Sequence, residues 1–140
     1  MQFWIVDASV AAKWLMPEPN HEAAKAFLQK EEYFLVPKYF YIEMESLLSK
    51  KVRRNILTAK EAKVAMSTLE KLPLLDIKWS RLRVNAFHIA THFAVSYYDA
   101  IYLALALTVQ SPLITADKRL VSASKSIKPR PDVRFLLDYS

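Results

Sequence analysis

Short apolar runs alternate with amphipathic stretches of helical spacing along the whole chain, and this predicts an α/β fold built on a mostly parallel sheet. Two further observations support that class. Phe3-Trp4-Ile5-Val6 is apolar on both faces, as a central strand of such a sheet must be. Asp7 and Asp117 each end a strand-like run, placing carboxylates at the carboxyl edge where open α/β sheets bind ligands.

The elements follow in order. After the strand Phe3–Asp7, residues 8–16 continue as a helix, with Asp7 or Ser9 as N-cap and Pro17 as the stop. Asn20 or His21 opens a second helix running to about Glu32, and Phe34-Leu35-Val36 is a second strand closed by Pro37. Residues 38–54 form a long helix whose basic end, Lys50-Lys51-Val52-Arg53-Arg54, suits the negative pole of its dipole and could equally meet RNA. Thr58 with Glu61 is a capping box for the next helix, to about Lys71. Leu74-Leu75-Asp76-Ile77 is the third strand, and helices follow over residues 80–93 and 96–109.

The last of these helices, through Tyr98-Asp99-Ala100-Ile101-Tyr102-Leu103-Ala104-Leu105-Ala106, is apolar all round and so belongs in the core. Leu113–Ala116 is the fourth strand, and a short helix starts at Asp117. Residues 122–131 are polar, basic and proline-marked, and read as a loop. Residues 133–136 form a fifth strand at the sheet edge. No internal repeat or linker divides the chain, so residues 1–140 are expected to be one domain.

Composition excludes several chemistries. The 140 residues contain no cysteine, which removes disulfides, cysteine nucleophiles and Cys-type metal sites and makes cytoplasm the default compartment. Glycine is also absent, so no glycine-rich phosphate loop exists; Walker-type and Rossmann binders are ruled out. Turns and helix ends must instead use Pro, Asn and other polar residues. No secretory signal is visible, and no apolar run approaches the ~18 residues of a membrane span. The net charge of +6 suits an anionic partner, nucleic acid first.

Four acids carry the chemistry: Asp7, Glu43, Asp99 and Asp117. Singly, each has an ordinary reading. Asp7 and Asp117 are good N-caps, Asp99 stands three residues after Ser96 as in a capping box, and Glu43 borders the stripe of Phe40 and Leu47. Together they are harder to explain without a cation. Converging carboxylates repel and raise one another's pKa, whereas a hard divalent ion takes oxygen ligands and binds phosphate. His88 and His92 share a helical face, but no Glu follows His88 and no third ligand is evident, so a surface role is expected. Trp4, Trp14 and Trp79 are expected in the core or an interface rather than as base-stacking platforms.

Val6-Asp7-Ala8-Ser9, Glu43 in the helix after Val36-Pro37, Tyr98-Asp99-Ala100 and Thr115-Ala116-Asp117-Lys118-Arg119-Leu120 resemble the PIN-domain family. More narrowly, they are similar to the VapC-type toxins of prokaryotic toxin–antitoxin pairs. The resemblance spans nearly the whole chain. It implies a three-layer α/β/α sandwich with a five-stranded sheet, Mg²⁺ or Mn²⁺ dependence, cleavage of single-stranded RNA, a homodimer and a cognate antitoxin. It makes Asp7, Glu43, Asp99 and Asp117 the metal-holding catalytic residues, with Ser9 and Thr115 supporting them. Many relatives have Asn three residues after the helical glutamate. Here that position is Ser46, a shorter hydrogen-bonding side chain in the same supporting role. Lys118 and Arg119 are candidates for RNA phosphate contact.

The expected reaction is in-line attack of water on a phosphodiester, leaving 5′-phosphate and 3′-hydroxyl ends. Other classes fit less well. A haloacid-dehalogenase phosphatase needs an aspartate where Ser9 stands, and a receiver domain needs an acidic pair after the first strand. The alternative that survives is a catalytically silent PIN fold that binds RNA or a protein partner.

Overall fold

The computed structural model describes residues 2–31 and 33–139. Five strands are interleaved with seven α-helices among these residues. They are β1 (Phe3–Val6), α1 (Ala8–Leu15), α2 (His21–Lys30), β2 (Tyr33–Pro37), α3 (Tyr39–Arg53), α4 (Ala59–Lys71) and β3 (Leu74–Ile77). There follow α5 (Trp79–His92), α6 (Tyr97–Val109), β4 (Leu113–Thr115), α7 (Lys118–Ser124) and β5 (Val133–Phe135), with a final 3₁₀ turn at Leu136–Tyr139. The expected end of α2 near Glu32 lies outside the described residues.

The sheet order is β3-β2-β1-β4-β5 and every pairing is parallel, so β1 is central and β5 lies at an edge. Ile5 pairs with Leu35 on one side and Leu113 on the other. The chain winds outward from β1 through β2 to β3, then crosses back to β4 and β5. The strand order therefore reverses between β1 and β4. A crevice opens at the carboxyl edge of the sheet at such a reversal.

Local chemistry fixes the helix starts. Asp7 caps α1 by accepting from the Val10 N–H, Ser96 caps α6 by accepting from the Asp99 N–H, and Asp117 caps α7 through Arg119 N–H. The Thr58–Glu61 capping box has both of its hydrogen bonds. Without glycine, the described left-handed positions fall to Asn20, Asn55 and Gln110, two of them asparagines, which tolerate that region best. The expected loop at 122–131 is shorter than the sequence suggested, because α7 continues to Ser124 before the chain turns irregular. The last strand likewise stops at Phe135, and Leu136 opens the 3₁₀ turn.

Residues 100–106 of α6 are all buried, as an all-apolar helix requires. Trp4 and Trp14 are core residues, the latter anchored by its indole N–H to the Ala24 carbonyl at 2.7 Å. Trp79 is not a core residue: it is 51% exposed. The basic end of α3 sits at the opposite end of that helix from Glu43, with Lys51 paired to Glu18 at 3.3 Å. Among the described residues no helix is long and apolar enough to cross a membrane.

Candidate metal-dependent active site

Asp7 is the most constrained of the four acids. It is buried where β1 gives way to α1, and both carboxylate oxygens are engaged. Ser9 Oγ donates to Oδ1 at 2.5 Å and Thr115 Oγ1 donates to Oδ2 at 2.5 Å, while the Val10 N–H reaches Oδ1 at 3.2 Å. These hydroxyls are themselves fixed. The Ala116 N–H donates to Ser9 Oγ at 3.0 Å, and the Asp117 N–H donates to Thr115 Oγ1 at 3.1 Å. The ends of β1 and β4 are thereby tied together across the strand reversal.

Glu43 lies one turn into α3, half-buried, with Phe40 and Met44 buried beside it. Its Oε1 accepts a 2.6 Å hydrogen bond from the Tyr102 hydroxyl. Tyr102 is almost wholly buried on α6, and its phenol is pushed well above its ordinary pKa by burial and by the charge of Glu43. It is therefore a permanent donor. This residue was not picked out as part of the site from sequence, because its partner lies far away along the chain.

Asp99, in the first turn of α6, and Asp117, at the start of α7, line one side of a hollow of about 450 Å³ with Ser96 and Arg119. Arg119 Nε stands 3.6 Å from Asp117 Oδ1, and its side chain is otherwise exposed.

The four charges act on one another. Burial raises the pKa of Asp7, against the lowering effect of its hydrogen bonds, and the charge of Asp99 raises it further. Burial raises Glu43, with Asp7 and Asp99 adding to the effect while the Tyr102 bond opposes it. Burial also raises Asp99, with Asp117 next and Arg119 opposing. A divalent cation relieves such repulsion. Among the described residues no three His, Cys, Asp or Glu side chains are grouped tightly enough to enclose a metal ion unaided. The donor set is oxygen only, the kind that hard divalent cations take.

The remaining expected site residues divide. Ser9 and Thr115 join the network. Ser46 does not: it is exposed on α3, and its described bond is through its carbonyl, which accepts from Ser49 Oγ. At i+3 it neighbours Glu43 on the helix surface but faces solvent, and no described side-chain bond links it to the acids. Lys118 lies over the Phe135 ring at 5.4 Å, whereas Arg119 faces the hollow. His88 and His92 stack on the exposed side of α5, their rings 4.2 Å apart.

The PIN domain family matches residues 4–126. The chain is 33% identical over 119 residues to a protein named Ribonuclease VapC3 from Pyrobaculum aerophilum, covering 83% of this chain and 90% of that one. It is 27% identical over 128 residues to Ribonuclease VapC1 from Mycobacterium tuberculosis, covering 85% and 89%. Among solved structures, DNA-bound VapBC from Salmonella typhimurium matches with a TM-score of 0.72 at 13% identity, covering 97% of this chain and 99% of that one. The Mycobacterium tuberculosis toxin VapC20, described as cleaving the sarcin–ricin loop, matches with a TM-score of 0.70 at 16% identity, covering 86% and 94%. The chain belongs to the PIN-domain family.

Proposed function

We propose that this protein is a divalent-metal-dependent endoribonuclease of the VapC type, the toxin of a toxin–antitoxin pair. The observation that carries the reading is the tie of Asp7 to both Ser9 and Thr115, which holds a buried carboxylate among three other acids at the strand reversal. The capping roles of Asp7 and Asp117 do not require the charges of Glu43 and Asp99 to act on Asp7. Relatives named as ribonucleases support the activity, and toxin–antitoxin complexes among the structural neighbours support an antitoxin partner. A homodimer and cytoplasmic action belong to the same reading.

Asp7, Glu43, Asp99 and Asp117 would hold Mg²⁺ or Mn²⁺. When bound, the cation supplies activation of water and charge neutralisation at the scissile phosphate. The chain's own residues prepare the place. Ser9 and Thr115 orient Asp7 and keep it ionisable despite burial. Tyr102 fixes the rotamer of Glu43. Arg119 offers a cation toward a phosphate entering the hollow.

The test is cleavage of a labelled single-stranded RNA with Mg²⁺ or Mn²⁺, against EDTA and against Asp99→Asn. The Asn side chain keeps the size, and the cap of α6 survives because it is Ser96 Oγ that accepts there. Wild type should cut only with metal, leaving 5′-phosphate ends. The folded variant should lose at least about 100-fold, as for loss of a charge-stabilising group at a reacting phosphate. Cleavage in EDTA, or 2′,3′-cyclic phosphate ends, would overturn the mechanism. Binding without cutting would favour the silent-module reading.

A further inference from the structure

A second hollow of about 610 Å³ lies at the carboxyl edge of the sheet on the side of β2 and β3. Its walls come from the residues just past β2 (Lys38, Tyr39), those just past β3 (Lys78, Trp79) and the start of α6 (Tyr97, Tyr98). The topology places it on the same edge of the sheet as the acids, and two of its residues neighbour them along the chain. Tyr98 precedes Asp99, and Tyr39 precedes Glu43 by one helical turn.

The aromatic groups are set, not loose. The Tyr39 and Tyr98 rings stack at 4.9 Å with 14° between their planes, and the Trp79 indole N–H donates to the Tyr97 hydroxyl at 2.8 Å. Tyr98 and Trp79 are both more than half exposed. Exposed rings held in fixed orientation are costly to leave in water unless something covers them. Lys38 and Lys78 stand exposed on the rim, and the Arg83 guanidinium lies 5.5 Å over the Trp79 ring. Rings in a positively rimmed groove match a flexible polyanion that carries flat bases. A second copy of the chain is a poorer occupant, since a two-fold contact sets this basic rim against itself.

We propose that this groove is a base-stacking subsite, with Tyr98 and Trp79 receiving unpaired bases of single-stranded RNA next to the scissile phosphodiester and Lys38 and Lys78 holding its backbone. The proposal rests on the nuclease reading for the position of that phosphodiester. Base stacking itself is measurable without cleavage.

The experiment is binding of a short unstructured single-stranded RNA to the full chain in EDTA, followed by anisotropy of the labelled RNA and by tryptophan fluorescence. Trp4 and Trp14 are buried, so quenching reports Trp79. RNA should quench wild type but not Trp79→Phe. Tyr98→Ala or Trp79→Ala should raise Kd about 5- to 150-fold, the range for losing one stacking ring. Tyr98→Phe, which keeps the ring, should bind as wild type, and a strand lacking bases should bind wild type and the alanine variants alike. Equal binding of the intact strand by wild type and both alanine variants, without quenching, overturns the proposal. So does a loss of affinity that accompanies dissociation of a dimer and is the same for the strand lacking bases, because that marks the face as an interface between copies. Cleavage by wild type in Mg²⁺ is scored separately, so failure of the nuclease reading is told apart from failure of the stacking groove.

Discussion

Glu43 and Tyr102 show how much of this site rests on a single hydrogen bond. The carboxylate comes from α3 and the phenol from a buried position on α6, yet they meet at 2.6 Å. Burial and the neighbouring carboxylates favour protonating Glu43, and the Tyr102 bond opposes that shift. Tyr102→Phe removes the donor while keeping the ring that packs in the core. Metal affinity should fall about 10- to 100-fold, the usual cost of losing a partner that orients a ligand. The check is the Mg²⁺ dependence of cleavage: the half-saturating concentration should rise, and saturating metal should recover much of the rate. A uniform loss at every metal concentration would place Tyr102 outside metal binding.

At the scale of elements, what could be read in the sequence was what local chemistry decides. The capping box at Thr58 and Glu61, the caps at Asp7, Ser96 and Asp117, and the buried helix around Ala104 each depend on residues within a turn of one another. The acids could be paired with strand ends for the same reason. Long-range packing could not be read. Tyr102 meets Glu43 across 59 positions, and Trp79 is held at the surface by Tyr97, 18 positions away. Ser46 falls outside the network because α3 turns it to solvent, which spacing from Glu43 alone does not reveal.

The absence of glycine was legible, and its structural consequence appears at helix ends. Gln110 closes α6 with φ of 50°, a conformation that is costly for a residue with a Cβ. Gln110→Gly removes about 1–2 kcal/mol of strain and returns about 0.5–1 kcal/mol as added freedom in the unfolded chain. A net gain of about 0.5–1 kcal/mol is expected, seen as a rise of roughly 2–4 °C in melting temperature. An unchanged or lower melting temperature would show that Gln110 contributes contacts that offset its backbone strain.

For the whole molecule, the acidic centre sets folding against function. Asp7, Glu43 and Asp99 all have pKa values raised in the first place by burial. Between their ordinary values and their raised ones, the folded chain keeps protons that the unfolded chain has released. Stability from these groups is therefore highest at low pH and is lost as pH rises through that window. A divalent cation acts in the opposite direction, since it binds the ionised carboxylates and is linked to their proton loss. Metal-free protein should melt higher at mildly acidic pH than its carboxylates allow at neutral pH, and Mg²⁺ should restore the difference chiefly at neutral pH. At a concentration 100 times its Kd, the ion adds about 2.7 kcal/mol. Asp7→Asn separates this effect from every other titrating group. It retains an oxygen for the Ser9 and Val10 bonds, removes the buried charge, and should melt higher than metal-free wild type at neutral pH while losing both the Mg²⁺ response and cleavage. The margin over wild type should shrink as pH falls and Asp7 takes up its proton. A margin that stays constant with pH would mean that the charge of Asp7 is not what destabilises the metal-free fold.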